Sequence, residues 1–369
     1  MRTYLALIAA AVALLGADAA RPKWSELSEN YSYEQYLADF GKAAPARSEY
    51  DARKARFEAQ LAATLRHNAD KTASWKRGIN HMSDWSDSEH AALRGRLPST
   101  WAIRAAHLNL PSTRAPVGIP PAFDWRTKGV VTPVKDQGHC GSCWAFAATA
   151  TIESHLAVNT GVLAELSPQQ LVSCVPNPHH CGGDGGCAGS TAELAYDYVK
   201  KAGIASAYSF PYTSWPGDSN GDCDVKPASR SKAFANVSGY QALAVNDEAS
   251  LLEALVAHGP ISVSVAASPW SFYESGVFDG CALQGSGTDV NHAVVLVGYD
   301  EESLIIRNSW TPLWGEDGYI RLKRTTSCGI DTTPEHGSRC DGGPTTVKVC
   351  GMCGVLSESS YPTNTGLAR

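Results

Sequence analysis

The chain has 369 residues, 43% of them hydrophobic and only 18% charged, which suits a well-buried globular protein and excludes wholesale disorder. Residues 21–118 carry 15 Lys and Arg against 11 Asp and Glu, a balance of +4, whereas residues 119–369 carry 15 against 25, a balance of −10. A basic segment ahead of an acidic domain offers no footprint for nucleic-acid binding.

The first residues, "MRTYLALIAAAVALLGADAA", combine one Arg, an apolar run and a small-residue end. This pattern predicts a secretory signal peptide, residues 1–19, cut near Ala19 or Ala20. The run is short for a membrane span, and no later segment is apolar for long enough to cross a bilayer. The stretch "SEYDARKARFEAQLAATLRHN" is free of Gly and Pro and predicts a helix with Ser48 as its N-cap. It is followed by "LPSTWAIRAAHLNLPSTRAPVGIPP", which reads as an exposed extended linker. A helical segment, a linker and a disulfide-rich domain form the layout of a zymogen, or equally of an ordinary helical domain with a linker.

Beyond Pro120 the texture changes twice. Residues 143–203 hold two helical stretches, "CWAFAATATIESHLAVNTG" and "STAELAYDYVKKAG", each closed by a Gly cap. Residues 233–325 hold β-branched runs, "PISVSV", "HAVVLVGY", "SLIIRNSW" and "YIRLKR", separated by Gly, Asp and Pro. The expected architecture is α+β, one helical lobe followed by one β lobe.

Eleven cysteines all lie between Cys140 and Cys353. In a secreted chain they predict a disulfide framework, and their odd number leaves one thiol free. "QGHCGSCWAF" places two of them three apart, as a metal knuckle, a redox pair, a disulfide corner or a nucleophile would. Cys143 stands where a helix begins, and a helix N-terminus favours a thiolate by about 1 to 2 kcal/mol. Lowering a thiol pKa from about 8.5 to roughly 3.5 takes about 7 kcal/mol, so most of the stabilisation must come from a close cation. His292, opening "HAVVLVGY", offers one. Asn308 in "RNSWTPLWGEDGY" can accept the imidazole N–H and fix its tautomer, with Trp310 as a shield. Gln137 can donate to a developing oxyanion beside the Cys143 N–H.

With "QGHCGSCWAF", "NHAVVLVGY" and "NSWTPLWGEDGY" in this order, the chain resembles the papain family of cysteine peptidases from about Ile119 to Pro362. The first half is similar to cathepsin L-like propeptides. Glu49, Arg53, Phe57 and Asn68 fall at the spacing of one motif, with Gln60 and Thr64 as departures. Gly78, Asn80 and Asp84 fit a second motif, with Met82 replacing its usual Phe. The resemblance implies a papain-like two-lobe fold, a helical lobe plus a β-barrel-like lobe with the active-site cleft between them. It implies an inhibitory propeptide over residues 20–118 and a mature peptidase over 119–369.

It also implies catalysis by Cys143, His292, Asn308 and Gln137 without a cofactor. Substrate would meet Gly189, Ser190, Ser264, Val290, Ala293, Trp314 and Glu358, the last at the floor of the pocket for the second acyl-side residue. An apolar side chain would fit there, and a substrate Arg could reach Glu358. The family's disulfides would join Cys140 to Cys187, Cys174 to Cys223 and Cys281 to Cys353. Cys181, Cys328, Cys340 and Cys350 fall in insertions with no assigned pairing. A zinc site using "CGMC", His179 or His180 is the alternative use of these residues, while "GGDGG" at 182–186 reads as a flexible turn.

Ser190 stands where the family has a glycine, which alters the rim. "NYS" at Asn30 and "NVS" at Asn236 are glycosylation sequons. The expected partners are protein and peptide substrates and the chain's own propeptide, on a monomer that enters the secretory pathway toward lysosome, vacuole or the outside. Two other functions use the same residues: a non-catalytic binding protein, and a transferase or ligase acting through the same thioester. The +4 and −10 balances predict that the propeptide is held partly by carboxylates near basic groups and that acid loosens these pairs.

Overall fold

Small and apolar residues surround the stretch Cys143–Thr160 on all sides, and it forms a helix whose residues from Cys143 to Ala157 are all buried. A helix apolar all round belongs inside a protein. Gly161 ends it in the left-handed conformation, φ 75°. The computed structural model describes residues 21–95, 118–223, 233–337 and 339–368. The expected signal peptide, residues 1–19, and most of the expected linker lie outside the described residues.

One side of this central helix packs on helices Pro168–Cys174 and Ala192–Ala202 through Trp144, Ile152, Leu156, Leu171 and Tyr196. This is the helical lobe. The other side presents Ala147 and Ala150 to Val295, Val297 and Ile305 of the sheet. The two lobes therefore meet along one helix.

Among the described residues the main sheet has nine strands. Its path runs Trp75–Arg77, Tyr273–Phe278, Tyr319–Lys323, Ser303–Arg307, His292–Tyr299, Ile261–Val265, Ser359–Thr363 and Gly239–Ala242, with Phe123–Asp124 against His292–Tyr299. The path is open, so the β lobe is not a closed barrel. Helix Glu248–His258 interrupts the stretch that reads as strands. Its N-cap Asp247 accepts a hydrogen bond from the Ser250 N–H at 3.2 Å.

The N-terminal segment has a small core of its own, built from Tyr33, Tyr36, Phe57, Leu61 and Ile79. Buried Asp84 accepts hydrogen bonds from Tyr33 and Tyr36 and an ion pair from Lys42. Arg53 pairs with Glu89 at 2.7 Å, and Asn68 exchanges two hydrogen bonds with the Arg77 backbone. The long helix starts at Arg47 with Ala46 in the N-cap position, so Ser48 sits in the first turn and caps nothing.

This segment docks by strand addition: Trp75–Arg77 pairs antiparallel with the edge strand Tyr273–Phe278. Trp75, Met82 and Leu93 complete the β-lobe core, and Trp85 lies on His139 with ring centroids 4.6 Å apart. Among the described residues, ion pairs of the segment's side chains stay within the segment. Among the described residues the docking contacts are largely apolar and backbone-mediated, with the Trp24 N–H also donating to Glu274 Oε1 at 3.0 Å.

Cys140 is bonded to Cys187, Cys174 to Cys223 and Cys281 to Cys353. The insertions add Cys181–Cys340 and the local Cys328–Cys350, which staples the hairpin Cys328–Asp331/Val347–Cys350. Both cysteines of "CGMC" are consumed in these bonds, leaving no thiolate there for zinc. Cys143 is the free cysteine.

Candidate active site

Cys143 takes the first position of the central helix and His292 the first position of strand His292–Tyr299. The packing of that helix on that strand brings the two side chains to the seam between the lobes. The Cys143 sulfur accepts the Ala293 N–H at 3.5 Å. His292 Nε2 meets Asn308 Oδ1 at 2.8 Å. The same oxygen accepts the Ser309 N–H at 2.8 Å, which fixes the amide's orientation and makes the imidazole nitrogen the donor. The Trp310 ring covers this bond, its centroid 4.8 Å from that of His292. His292 Nδ1 is buried, and the Leu93 backbone lies against the ring.

Gln137 is wholly buried and held on both sides, its N–H donating to Ser309 O at 3.0 Å and its Oε1 accepting from Ser309 Oγ at 2.7 Å. Its Nε2 donates to Cys140 O at 2.9 Å and to Leu93 O at 2.8 Å. Leu93 belongs to the N-terminal segment. That segment continues through Gly95, whose φ of +78° suits glycine and whose site lies close to both Gly189 and Asn291. Residues 93–95 therefore run through the cleft between the lobes, with a peptide carbonyl on the Gln137 amide.

This plug disarms the pair. Burial pushes the Cys143 thiol up to about 11, against hydrogen bonds from the Ala293, Trp144 and Cys143 N–H groups. Burial also pushes His292 down to about 4; Asn308 opposes this and the nearby Arg94 guanidinium reinforces it. Both shifts favour the uncharged side chains while residues 93–95 fill the cleft. The plug was not legible: "LRG" acts through a backbone carbonyl and carries no motif.

The residues expected to meet substrate divide into two groups. Register pairs Ser264 with Ala293 and Val265 with His292, so the first pair borders the candidate nucleophile. Ser264 Oγ donates to Glu358 Oε2 at 3.1 Å. Val290 is buried, its N–H on Asp331 Oδ2 at 3.3 Å. Gly189 and Ser190 line the opposite side; Gly189 O accepts the Gly185 N–H at 2.7 Å, and the buried Ser190 hydroxyl has no partner among the described residues. Trp314 is the remaining one. It is fully buried against Trp310, Trp270 and Tyr273, with its N–H on Trp270 O at 3.3 Å, and supports Trp310 from behind.

Glu358 does not wait for a substrate cation: Arg339 Nη1 already donates to its Oε1 at 3.3 Å. Burial pushes Glu358 up to about 8, and Glu193 adds to the shift, while Arg339 and Ser264 oppose it. Arg339 lies in an insertion and was not anticipated.

The Papain family cysteine protease model matches residues 119–337, more than half of the chain, and the Cathepsin propeptide inhibitor domain matches residues 33–90. The chain belongs to the papain family of cysteine proteases and is a papain-like cysteine endopeptidase zymogen. It is 33% identical to the senescence-specific cysteine protease SAG39 of Oryza sativa subsp. japonica over 346 residues, covering 90% of this chain and 89% of that protein. It is 34% identical to pro-cathepsin H of Bos taurus over 342 residues, covering 89% and 97%. Among solved structures, procathepsin L 3 of Tenebrio molitor larval midgut superposes with a TM-score of 0.68 at 28% identity, covering 89% of this chain and 97% of that one. The recombinant stem bromelain precursor gives 0.68 at 30%, covering 90% and 97%. The family match ends at residue 337, within the cysteine-stapled insertion, yet the sheet continues to Ser359–Thr363.

Proposed function

We propose that residues 20–118 form the inhibitory propeptide, residues 119–369 the mature enzyme, and that Cys143 is the nucleophile of a hydrolytic endopeptidase. Once the plug leaves, Cys143 and His292 exchange a proton to form the thiolate–imidazolium pair. The sulfur attacks the scissile carbonyl, and its oxygen takes the place of Leu93 O between Gln137 Nε2 and the Cys143 N–H. His292 protonates the leaving amine, and Asn308 holds the ring so that Nδ1 faces the sulfur. Water, deprotonated by His292, then hydrolyses the thioester. The proton accounting closes on these side chains, so the reaction needs no cofactor.

The observation that carries this reading is the Gln137 amide already holding a peptide carbonyl, next to a Cys143 sulfur that takes the Ala293 N–H and a His292 ring held by Asn308. Ser264, Val290, Ala293 and Glu358 form the pocket for the second acyl-side residue, with Gly189 and Ser190 pairing the peptide backbone. The enzyme acts on protein and peptide substrates as a monomer and travels the secretory pathway to a lysosome-like compartment or the outside. No helix among the described residues is long and apolar enough to cross a membrane. Asn30 lies in an exposed turn, open to glycosylation, and Asn236 is half-buried in a short strand.

Acidifying the purified proform to pH 4.5 tests the reading. It is expected to yield a new N-terminus near residue 119 together with cleavage of peptide reporters. A proform that stays intact and inactive after acid treatment and after proteolytic removal of residues 20–118 would overturn it.

A further inference from the structure

Two cysteine-bearing insertions converge on one end of the cleft. One carries Cys181 on the helical side, the other Cys340 on the β side, and the disulfide between them joins the lobes across 159 residues of sequence. Backbone hydrogen bonds reinforce the strap: Gly182 N–H to Arg339 O at 3.0 Å, Asp341 N–H to His179 O at 3.0 Å, and Arg339 N–H to Pro334 O at 2.8 Å. Gly337 lies so close to the Val290 carbonyl that an added Cβ would stand 1.9 Å from its oxygen. The strap is therefore seated on Val290 itself, and its backbone is fixed on both sides of Arg339.

From this fixed position the Arg339 side chain reaches Glu358 Oε1 at 3.3 Å, while Ser264 Oγ occupies Oε2 at 3.1 Å. Both carboxylate oxygens are thus engaged by the protein. Glu358 and Arg339 side chains are 18% and 28% exposed, so the pair is mostly withdrawn from water. Glu193 and Asp331 are the other charges acting on Glu358.

We propose that Arg339 is a specificity-determining residue that plugs the acid at the floor of the second acyl-side pocket, so that the enzyme takes apolar side chains there and refuses Arg and Lys. This rests on the reading of Glu358 as the pocket floor. A substrate guanidinium entering the pocket must displace Arg339 from its carboxylate or lie beside it as a like charge, and either is unfavourable. An apolar side chain meets neither penalty. Because the strap is covalent, the plug is part of the fold and does not depend on the propeptide.

The test compares Phe-Arg and Arg-Arg peptide reporters on the acid-processed enzyme between pH 5 and 7.5, in wild type, Arg339→Ala, Arg339→Met, Glu358→Ala and the double variant Arg339→Ala/Glu358→Ala. A far-UV circular dichroism spectrum and a melting temperature close to those of wild type certify that each variant is folded. The Arg-Arg to Phe-Arg ratio of kcat/KM is expected to rise at least about 10-fold in both Arg339 variants, the value of one charge-assisted bond. It should climb with pH as Glu358 ionises, and fall back to the wild-type value in the double variant. An unchanged ratio in Arg339→Ala and Arg339→Met overturns the proposal. If Glu358→Ala nonetheless shifts the Phe-Arg KM, the pocket assignment survives that failure; if Glu358→Ala shifts neither reporter, the pocket assignment falls as well.

Discussion

Cys143→Ser should fold, dock its propeptide as the parent does, and lose about four to six orders of magnitude in peptide cleavage. The thiol's ordinary pKa of about 8.5 lies within reach of an imidazolium partner and a helix N-terminus, whereas a hydroxyl's does not. The Ala293 N–H and the helix start would remain in place around the shorter side chain. The variant proform should also persist uncut in acid, since its own nucleophile is gone. Peptide-cleavage assays after removal of the propeptide by an added protease give the number. Residual activity above about 1% of wild type would place the nucleophile elsewhere.

The second large effect concerns acid release, to which two histidines of the propeptide are expected to contribute. His81 and His90 of the propeptide each bury Nδ1 without a partner among the described residues. Burial holds His81 at about 3, with Lys42, Arg21, His139 and His90 adding to the shift. Burial holds His90 at about 4, with Arg94 adding and Asp87, Glu89 and Asp84 opposing. An unfolded imidazole titrates near 6.5. Above that pH both states carry neutral rings and the propeptide keeps its full stability. As pH falls from 6.5 toward 4, the unfolded segment binds protons that the folded one cannot, and stability is lost at about 1.4 kcal/mol per pH unit per ring.

By pH 4.5 the two rings together remove on the order of 3 to 5 kcal/mol, a large share of what a small docked segment has. Glu89 works in a lower window. Burial alone would raise it, but hydrogen bonds from Ser86 and Arg53 hold it at about 2. Its contribution is present above about 4.3 and is lost only as pH falls toward 2. The double variant His81→Gln/His90→Gln should therefore shift the midpoint of processing down by at least about one pH unit. Simple loosening of the propeptide would instead speed processing at every pH, including 7. An unshifted midpoint would refute the histidine mechanism.

The candidate site was legible where chemistry demands particular side chains next to particular elements. Cys143 begins a helix, His292 begins an apolar strand and Asn308 follows another, so each was visible from local pattern. The central helix was visible from its Gly161 cap and the strands from their β-branched runs. What was hidden depends on contacts between distant residues. The Arg339–Glu358 pair exists because Cys181 and Cys340 are bonded, and four spare cysteines allow three pairings that spacing cannot rank. The plug at residues 93–95 works through a main-chain oxygen, which any residue type supplies. Helix Glu248–His258 was overlooked because it lies among strands, although Asp247 marks its start. The charge totals were sound as counts, but a count does not say which charges face one another.

The central claim is that residues 93–95 hold the Cys143 pair neutral and covered until the propeptide leaves. Mapping iodoacetamide labelling at pH 6 by peptide mass, before and after acid processing, tests it most directly. With its thiol pushed up by burial and the cleft filled, Cys143 in the proform should label barely at all at that pH. After processing, Cys143 should take up one label at least about 100-fold faster, with loss of peptide cleavage in step and the ten disulfide cysteines untouched. Equal labelling of Cys143 in both forms, or inactivation by a label on any other cysteine, would contradict the account.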